Sequence, residues 1–444
     1  MILEKIISPG LAHFSYLIGS EGEAFVIDPR RDIDEYLSLA QKHNLKIIGI
    51  FETHRNEDIV TGAPTLAELT GAPLYRSSYE KLDYQTATYI KDRQEFEFGC
   101  LTLIALHTPG HTKGHMSYLV QKEGQDMYLF SGDSLFFGDA GRTDFYGQEH
   151  LEKMTGLLYD TLFEVYAQID DNTLLLPAHG AGSACGGDIQ DRPDSTLGYE
   201  RKTNPLYQLE SKEEFIAKHA YMRLKPYYFE HIEKMNLRGP EASFGYTPSV
   251  YHDEDIPTFD CRNQSSYIGL HEKNIIHLNH NEFSSYLGWF ANVDEDLHLI
   301  TDDLSSDIVE QLFWTARRMG YDGKIFTSTK DYIVDLQNST KEVVSAPFVR
   351  VADLEEGTLI LDVRQDAELK SDEYREVFSH RKHIPLQLLM ENIDKLDQDK
   401  CYAVLCKSGV RATIAYSILE KAGISAQIIL GGNDAIELSD KFNP

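Results

Sequence analysis

Residues 50–62 read IFETHRNEDIVTG. The apolar run that leads into it, IIGIF, has the character of a β-strand, and the polar residues after it mark a strand running out into a loop. That loop carries His54, Asn56, Glu57 and Asp58 in quick succession. Loops at strand ends that bear imidazole and carboxylate groups are where α/β and α+β proteins place their chemistry. Whether this loop holds a metal decides how the N-terminal half of the chain is read.

The surroundings repeat the same strand-to-loop pattern. SYLIG and EAFVID upstream read as strands, and DEYLSLAQKHN before the loop has helical spacing. Downstream, LTLIALHTPGH, SYLVQKEGQDMYLFSGDS and TLLLPAHG are further β-rich runs, each ending in a loop with His or Asp. From about residue 185 to 245 the text changes. ACGGDIQDRPDSTLGYERKTN is irregular and polar, and KEEFIAKHAYMRLKPYYFEHIEKMN is helical with an interruption near Pro226. A domain boundary is expected near LRGPEASFGYTP.

At 444 residues the chain has room for about three domains of roughly 150 residues each. A formal net charge of -29 argues against a nucleic-acid partner, because phosphate backbones attract basic surfaces, and it is read as a solubility feature. No apolar run is long enough to span a bilayer, and MILEKIISPG has no signal-peptide pattern, so a cytosolic location is expected. The five cysteines, Cys100, Cys185, Cys261, Cys401 and Cys406, are odd in number and lack C-x-x-C spacing. They argue against a disulfide scaffold or a structural zinc site, and leave a single reactive thiol open.

The run His54-Arg55-Asn56-Glu57-Asp58-Ile59 resembles the H-x-H-x-D-H signature of the metallo-β-lactamase fold, with Asn56 and Ile59 in place of its second and third histidines. TPGHT supplies His111, SGDS supplies Asp133 and PAHG supplies His179, in the order and contexts of that superfamily. The resemblance implies an α+β, αββα-sandwich domain. Losing two imidazoles removes one ligand from each site of a dinuclear hydrolase. His54, His111 and Asp133 remain, and two imidazoles with one carboxylate form the facial triad of non-haem Fe(II) oxygenases, with open positions for substrate and dioxygen. The phrases GLAHFSYLIG, VIDPRRD, SGDSLFFGDAGRTDF and PAHGAGSACG resemble the persulfide dioxygenases within this superfamily. That likeness implies a mononuclear iron, one per chain with zinc as the alternative, that oxidises the sulfane sulfur of a small-molecule persulfide to sulfite. It also implies that Asp58 and His179 support the ligands or hold a second metal. Arg142 would grip a carboxylate of the thiol carrier or form a structural salt bridge, and Cys185 would be a persulfide acceptor or an ordinary thiol.

Two later segments resemble each other about 100 residues apart. IPTFDCRNQSSY precedes LHLITDDLSSDIVEQLFWTARRMGYD, and GTLILDVRQDAEL precedes CYAVLCKSGVRATIAYSILEKAGIS. Each runs strand, D-x-R, variable middle, strand, loop and helix, which predicts a tandem pair of small α/β domains with parallel sheets. The loop Cys406-Lys407-Ser408-Gly409-Val410-Arg411, between strand and helix, resembles the C-x-x-G-x-R active site of rhodaneses. A tight loop aims successive backbone N–H groups inward, and the helix start adds partial positive charge. Together they are expected to depress the Cys406 thiol pKa and favour a persulfide anion, with Lys407 and Arg411 attracting anionic substrates. In the first copy Thr301 stands opposite Cys406, and a hydroxyl cannot carry a persulfide, so that copy is expected to be silent. Asp362 and Arg364 of LDVR are expected to be a structural ion pair, and Cys261 a core residue.

The expectation for the whole chain is therefore a fusion: a persulfide dioxygenase-like domain over 1–240, a degenerate rhodanese-like domain over 245–345 and an active rhodanese domain over 350–444. Its substrates would be a small thiol persulfide, dioxygen, and sulfite or thiosulfate, in sulfide detoxification. Assembly as a homo-oligomer is expected, with no nucleic-acid or membrane partner. The competing readings are a thioester hydrolase of the glyoxalase II type and a metal-free scaffold that carries a working rhodanese.

Overall fold

The computed structural model describes residues 1–80, 86–240, 249–250, 256–303, 306–336, 341–355, 357–369 and 380–437. The chain divides into two compact units, one of Met1–Gly245 with Trp314–Gly320, the other of Tyr246–Phe313 with Tyr321–Pro444. Most of the boundary segment expected at 237–248 lies outside the described residues. Among the described residues no helix is long and apolar enough to cross a membrane.

The first unit is built on two sheets. Strands β1 (Ile2–Ser8), β2 (His13–Ser20), β3 (Glu23–Ile27), β4 (Lys46–Phe51), β5 (Leu74–Ser77) and β6 (Ala87–Ile90) lie side by side in chain order. The first three pair antiparallel and the rest parallel. The second sheet runs β11-β10-β9-β8-β7, from β7 (Glu95–Phe98), β8 (Leu101–His107), β9 (Met116–Lys122), β10 (Gln125–Gly132) and β11 (Leu174–Pro177). It is antiparallel except where β10 meets β11.

Side-chain alternation explains why the sheets stack. Tyr16 and Ile18 of β2 join Phe51, Leu103, Tyr118, Val120 and Phe130 in the core between the sheets. Leu17, between the first two, points the other way, into a second core under the helices Asp34–Lys42 and Ala63–Thr70, with Tyr36, Ile50 and Leu66. The far face of the second sheet is covered in the same manner, with Leu119, Leu129 and Leu175 against Leu158, Leu162 and Phe215. Both faces of both sheets are thus buried, giving the expected α-β-β-α layering. Each large side chain taken from water contributes about 1.5–3 kcal/mol.

The second unit holds two five-stranded parallel sheets of identical strand order. In the first the order is Ser249–Val250, Ile325–Thr329, Leu297–Thr301, Thr258–Asp260, Ile276–His277; in the second it is Phe348–Arg350, Ala426–Leu430, Tyr402–Leu405, Ile360–Asp362, Arg381–His383. The internal repeat read from the sequence is therefore a repeat of topology. The D-x-R pairs occupy the same place in each copy. Arg262 holds Asp260 at 2.6 Å, and Arg364 holds Asp362 at 2.8 Å, all four buried.

Candidate metal centre and thiol loop

The metal question turns on which atoms meet at the strand ends. His54 follows β4, His111 follows β8, Asp133 follows β10 and His179 follows β11. All four are buried. His54 Nε2 lies 3.8 Å and His111 Nε2 3.5 Å from Asp133 Oδ2, and none of these three atoms has a hydrogen-bond partner. An unpaired buried polar atom costs about 1–3 kcal/mol. Three of them facing one point are the signature of a cation-binding group, and one ligand atom of each residue lies within 4.8 Å of the others.

Hydrogen bonds behind the ligands decide which nitrogen faces the site. Thr53 Oγ1 donates to Asp28 Oδ2 at 2.8 Å, so it accepts from His54 Nδ1, also at 2.8 Å. His111 Nδ1 donates to the Arg142 carbonyl at 2.8 Å. In both rings the proton sits on Nδ1, and Nε2 presents its lone pair inward. Burial and the neighbouring imidazoles hold the His54 pKa well below the usual range, so it stays neutral. Replacing Thr53 by valine removes the acceptor while keeping the shape. Metal affinity, measured by competition with a chelator, is expected to fall about 10–100-fold, and the melting temperature to drop as well, because Asp28 Oδ2 and His54 Nδ1 lose a buried hydrogen-bond partner.

Two residues that the sequence did not single out complete this site. His115 Nε2 accepts the Asp133 backbone N–H at 3.0 Å and sets the strand end. Glu57 is buried, with Oε1 on Arg55 at 3.3 Å and Oε2 unpaired, 3.5 Å from His111 Nε2. Burial pulls the His111 pKa down, but the Glu57 and Asp133 carboxylates outweigh it and raise it. Asn56 and Ile59 stand at the vacated histidine positions, both buried, and Asn56 Oδ1 has no hydrogen-bond partner.

His179 turns away from this point. Its Nδ1 donates to Asp133 Oδ1 at 2.7 Å, and its Nε2 lies 2.9 Å from Asp58 Oδ2. Burial lowers its pKa, yet the two carboxylates win and hold it well above the ordinary range. Cys185 Sγ lies 3.4 Å from Asp58 Oδ2, fully buried. Burial and the nearby carboxylates push its thiol well up, which opposes the expected persulfide-acceptor role, since that needs access and a thiolate. Arg142 takes the structural one of its two expected roles. Its Nε and Nη2 clasp Asp144 at 2.6 and 2.7 Å, and its other N–H groups go to the carbonyls of Arg223, Ala184 and Leu224. Every donor of the guanidinium is used inside the fold, so Arg142 is a structural clasp, with none left for a carrier's carboxylate.

The sequence pattern of the Metallo-beta-lactamase superfamily matches residues 8–179. A hydroxyacylglutathione hydrolase from Glaesserella parasuis is 30% identical over 223 residues, 46% of this chain and 91% of that protein. This chain belongs to the metallo-β-lactamase superfamily. Persulfide dioxygenases and hydroxyacylglutathione hydrolases are among its relatives at similar identity. The persulfide dioxygenase ETHE1 of Bos taurus is 28% identical over 243 residues, 54% of this chain and 88% of that protein. A crystal structure of a metallo-beta-lactamase from Staphylococcus aureus is 31% identical, with a TM-score of 0.68 over 74% of this chain and 99% of that chain. All three residues of the convergent group follow strands of the superfamily fold, and they lie inside the matched segment.

Outside the superfamily domain, Cys406 ends the strand Tyr402–Leu405, and the helix Val410–Lys421 begins four residues on. Gly409, with φ of 98°, turns the chain in a conformation that side chains resist. Its N–H donates to Cys406 Sγ at 3.0 Å, and the Ala412 N–H lies at 3.4 Å. The nest read from the sequence is present, but its expected net effect is not. Burial raises the thiol pKa more than the backbone N–H groups and Arg411 lower it. Arg411 is itself paired with Glu368 by two bonds of 2.7 Å, which spends part of its charge. Lys407 and Ser408 are exposed, while Val410 is half-buried at the helix start. The first copy bears on this loop: Gln264 Nε2 donates to the Gly409 carbonyl at 3.0 Å and to Thr413 Oγ1 at 2.7 Å. Thr301, opposite Cys406 in the repeat, donates instead to the Asp303 carbonyl at 2.7 Å.

Proposed function

We propose that the first unit oxidises the sulfane sulfur of a low-molecular-weight thiol persulfide to sulfite at one iron held by His54, His111 and Asp133, and that Cys406 carries sulfane sulfur between thiosulfate or sulfite and a small thiol. The observation that carries the first half is the convergence of three unpaired, buried ligand atoms of the two-imidazole, one-carboxylate type. When bound, the iron supplies open coordination positions and the electron chemistry for dioxygen.

This chain's residues do the rest. Thr53 and the Arg142 carbonyl keep both rings in the ligating tautomer. Asp133 is anchored from behind by His115 and His179. Glu57 places a carboxylate oxygen beside His111, where it can hold a proton released as the persulfide sulfur binds. One dioxygen and one water supply the three oxygens of sulfite, and the thiol leaves with the remaining proton balance of two released. At Cys406, the N–H groups of Gly409 and Ala412 favour a charged sulfur. Sulfite made at the first site is then a sulfur acceptor at the second. The sulfurtransferase half rests on the C-x-x-G-x-R loop and its nest, and the silent copy would serve as a brace through Gln264.

A second reading, thioester hydrolysis, is favoured by the hydrolase relative and by the Asp58–His179 pair beside the first group. Anaerobically purified full-length protein separates the two. About one tightly bound iron and persulfide-dependent oxygen uptake are expected. Thioester cleavage without oxygen uptake would favour the hydrolase, and neither activity with no bound metal would sink both.

A further inference from the structure

His115, which takes the Asp133 N–H, is itself held by a circuit of buried hydrogen bonds. The Asp133 N–H donates to His115 Nε2 at 3.0 Å. Nε2 therefore carries no proton, and the ring proton sits on Nδ1, 2.8 Å from Thr108 Oγ1. Thr108 Oγ1 lies 2.9 Å from Ser117 Oγ, and Ser117 Oγ lies 2.7 Å from the Tyr166 hydroxyl. Tyr166 meets Ser134 Oγ, which donates to the Ser131 carbonyl at 2.6 Å. An amide N–H can only give and a carbonyl can only accept, so the two ends fix the direction of every hydroxyl between them. His115 gives to Thr108, Thr108 to Ser117, Ser117 to Tyr166 and Tyr166 to Ser134. Every member is buried. We propose that this circuit makes His115 and Tyr166 positioning residues for the metal, by holding the turn from Ser131 to Ser134 so that Asp133 Oδ2 faces His54 and His111. The inference rests on reading those three residues as one metal site.

The turn is built around the imidazole. Gly132, with φ of 53°, leaves the space that His115 occupies, and a Cβ there would stand 2.5 Å from His115 Nε2. Each residue of SGDS thus has a task. Ser131 ends the circuit, Gly132 makes room, Asp133 begins the circuit and ligates, and Ser134 closes it. A proton on Nε2 would face the Asp133 N–H and push the turn away, so the tautomer matters. Thr108 holds that tautomer from the other side of the ring. Tyr166 follows the π-helical turn Thr161–Val165, which continues the helix Gln148–Asp160. Such turns are rare and frequently mark functional positions. Here the turn sets one hydroxyl between Ser117 and Ser134. Hydrogen bonds in a buried chain polarise one another, so the loss of a distant link is felt along its length. His179 holds Asp133 separately, through the side-chain Oδ1. The circuit governs the backbone that carries the ligand.

The test combines nitrogen NMR with iron binding, on full-length protein. In the metal-free protein, labelled at the histidine nitrogens, His115 should show a bare Nε2 and a protonated Nδ1. A proton on Nε2 overturns the proposal. Thr108→Val keeps the shape and removes the acceptor, and should weaken Fe²⁺ about 10-fold in anaerobic competition with a chelator. Thr108→Ser should restore the affinity. Tyr166→Phe should weaken Fe²⁺ by a similar factor, and it carries the test if the valine variant misfolds. Ser15→Ala is the control. It removes a buried hydroxyl pair with Tyr36 outside the circuit, and should cost stability while leaving Fe²⁺ affinity within about two-fold. Unchanged affinity in the folded Thr108→Val and Tyr166→Phe variants, or equal weakening in Ser15→Ala, overturns the proposal alone. A wild-type protein that binds no Fe²⁺ overturns the metal reading, and this inference with it.

Discussion

The His111→Ala variant is expected to bind almost no iron and to lose persulfide-dependent oxygen uptake by at least about 100-fold, while sulfur transfer at Cys406 continues. His111 supplies one of only two imidazoles in the group, and its lone pair is already aimed by the Arg142 carbonyl. Alanine leaves two ligands, too few to hold a labile divalent ion. The same change removes the donor from a buried carbonyl and opens space at a fully buried position, costing about 1–3 kcal/mol. Denaturant titration therefore belongs with the measurement. A folded variant that has lost iron but keeps transferring sulfur is the expected result. Oxygen uptake that survives in the iron-free variant would remove the triad from the mechanism.

The Cys406→Ser variant is the converse. Sulfur transfer from thiosulfate should fall to background, because a hydroxyl cannot become a persulfide, and oxygen uptake should stay within about two-fold. Serine fits the same space, and its oxygen can still accept the Gly409 N–H, so stability should change by less than about 1 kcal/mol. Transfer in the wild type should also rise with pH across the alkaline range. Burial raises the Cys406 thiol pKa, so the reactive thiolate is scarce at neutral pH and grows as protons are removed. Retained transfer in the serine variant would point to another thiol. Simultaneous loss of oxygen uptake would refute two separate sites.

Much of the site was legible along the chain because it depends on local order. His54, His111 and Asp133 each stand just past a strand, and strands announce themselves through alternating apolar residues. The D-x-R pairs of the tandem sheets were legible for the same reason, since each ion pair closes within two residues. Glu57 escaped because a spacing template treats its position as variable. Nothing in HRNED says that its side chain turns toward His111 rather than outward. For Arg142 both a carrier's carboxylate and a structural salt bridge were open, and the structure pairs it with Asp144, only two residues away. The three carbonyls that finish the clasp come from distant segments, and they are what leave no N–H free.

By itself the sequence determined the layered superfamily domain, the repeated parallel sheets, the strand-end positions of His54, His111 and Asp133 and the strand–loop–helix setting of Cys406, all of which follow from periodicity and local motifs. Only the tertiary structure decided the rest. It brought Asp58, His179 and Cys185 to one point, committed Arg142 to the fold, and set Gln264 against the Cys406 loop. It also reversed the expected shift of the Cys406 thiol. The physical reason is common to all four: they depend on burial and on which distant groups share a small volume, and neither desolvation nor three-dimensional neighbourhood is written in local spacing.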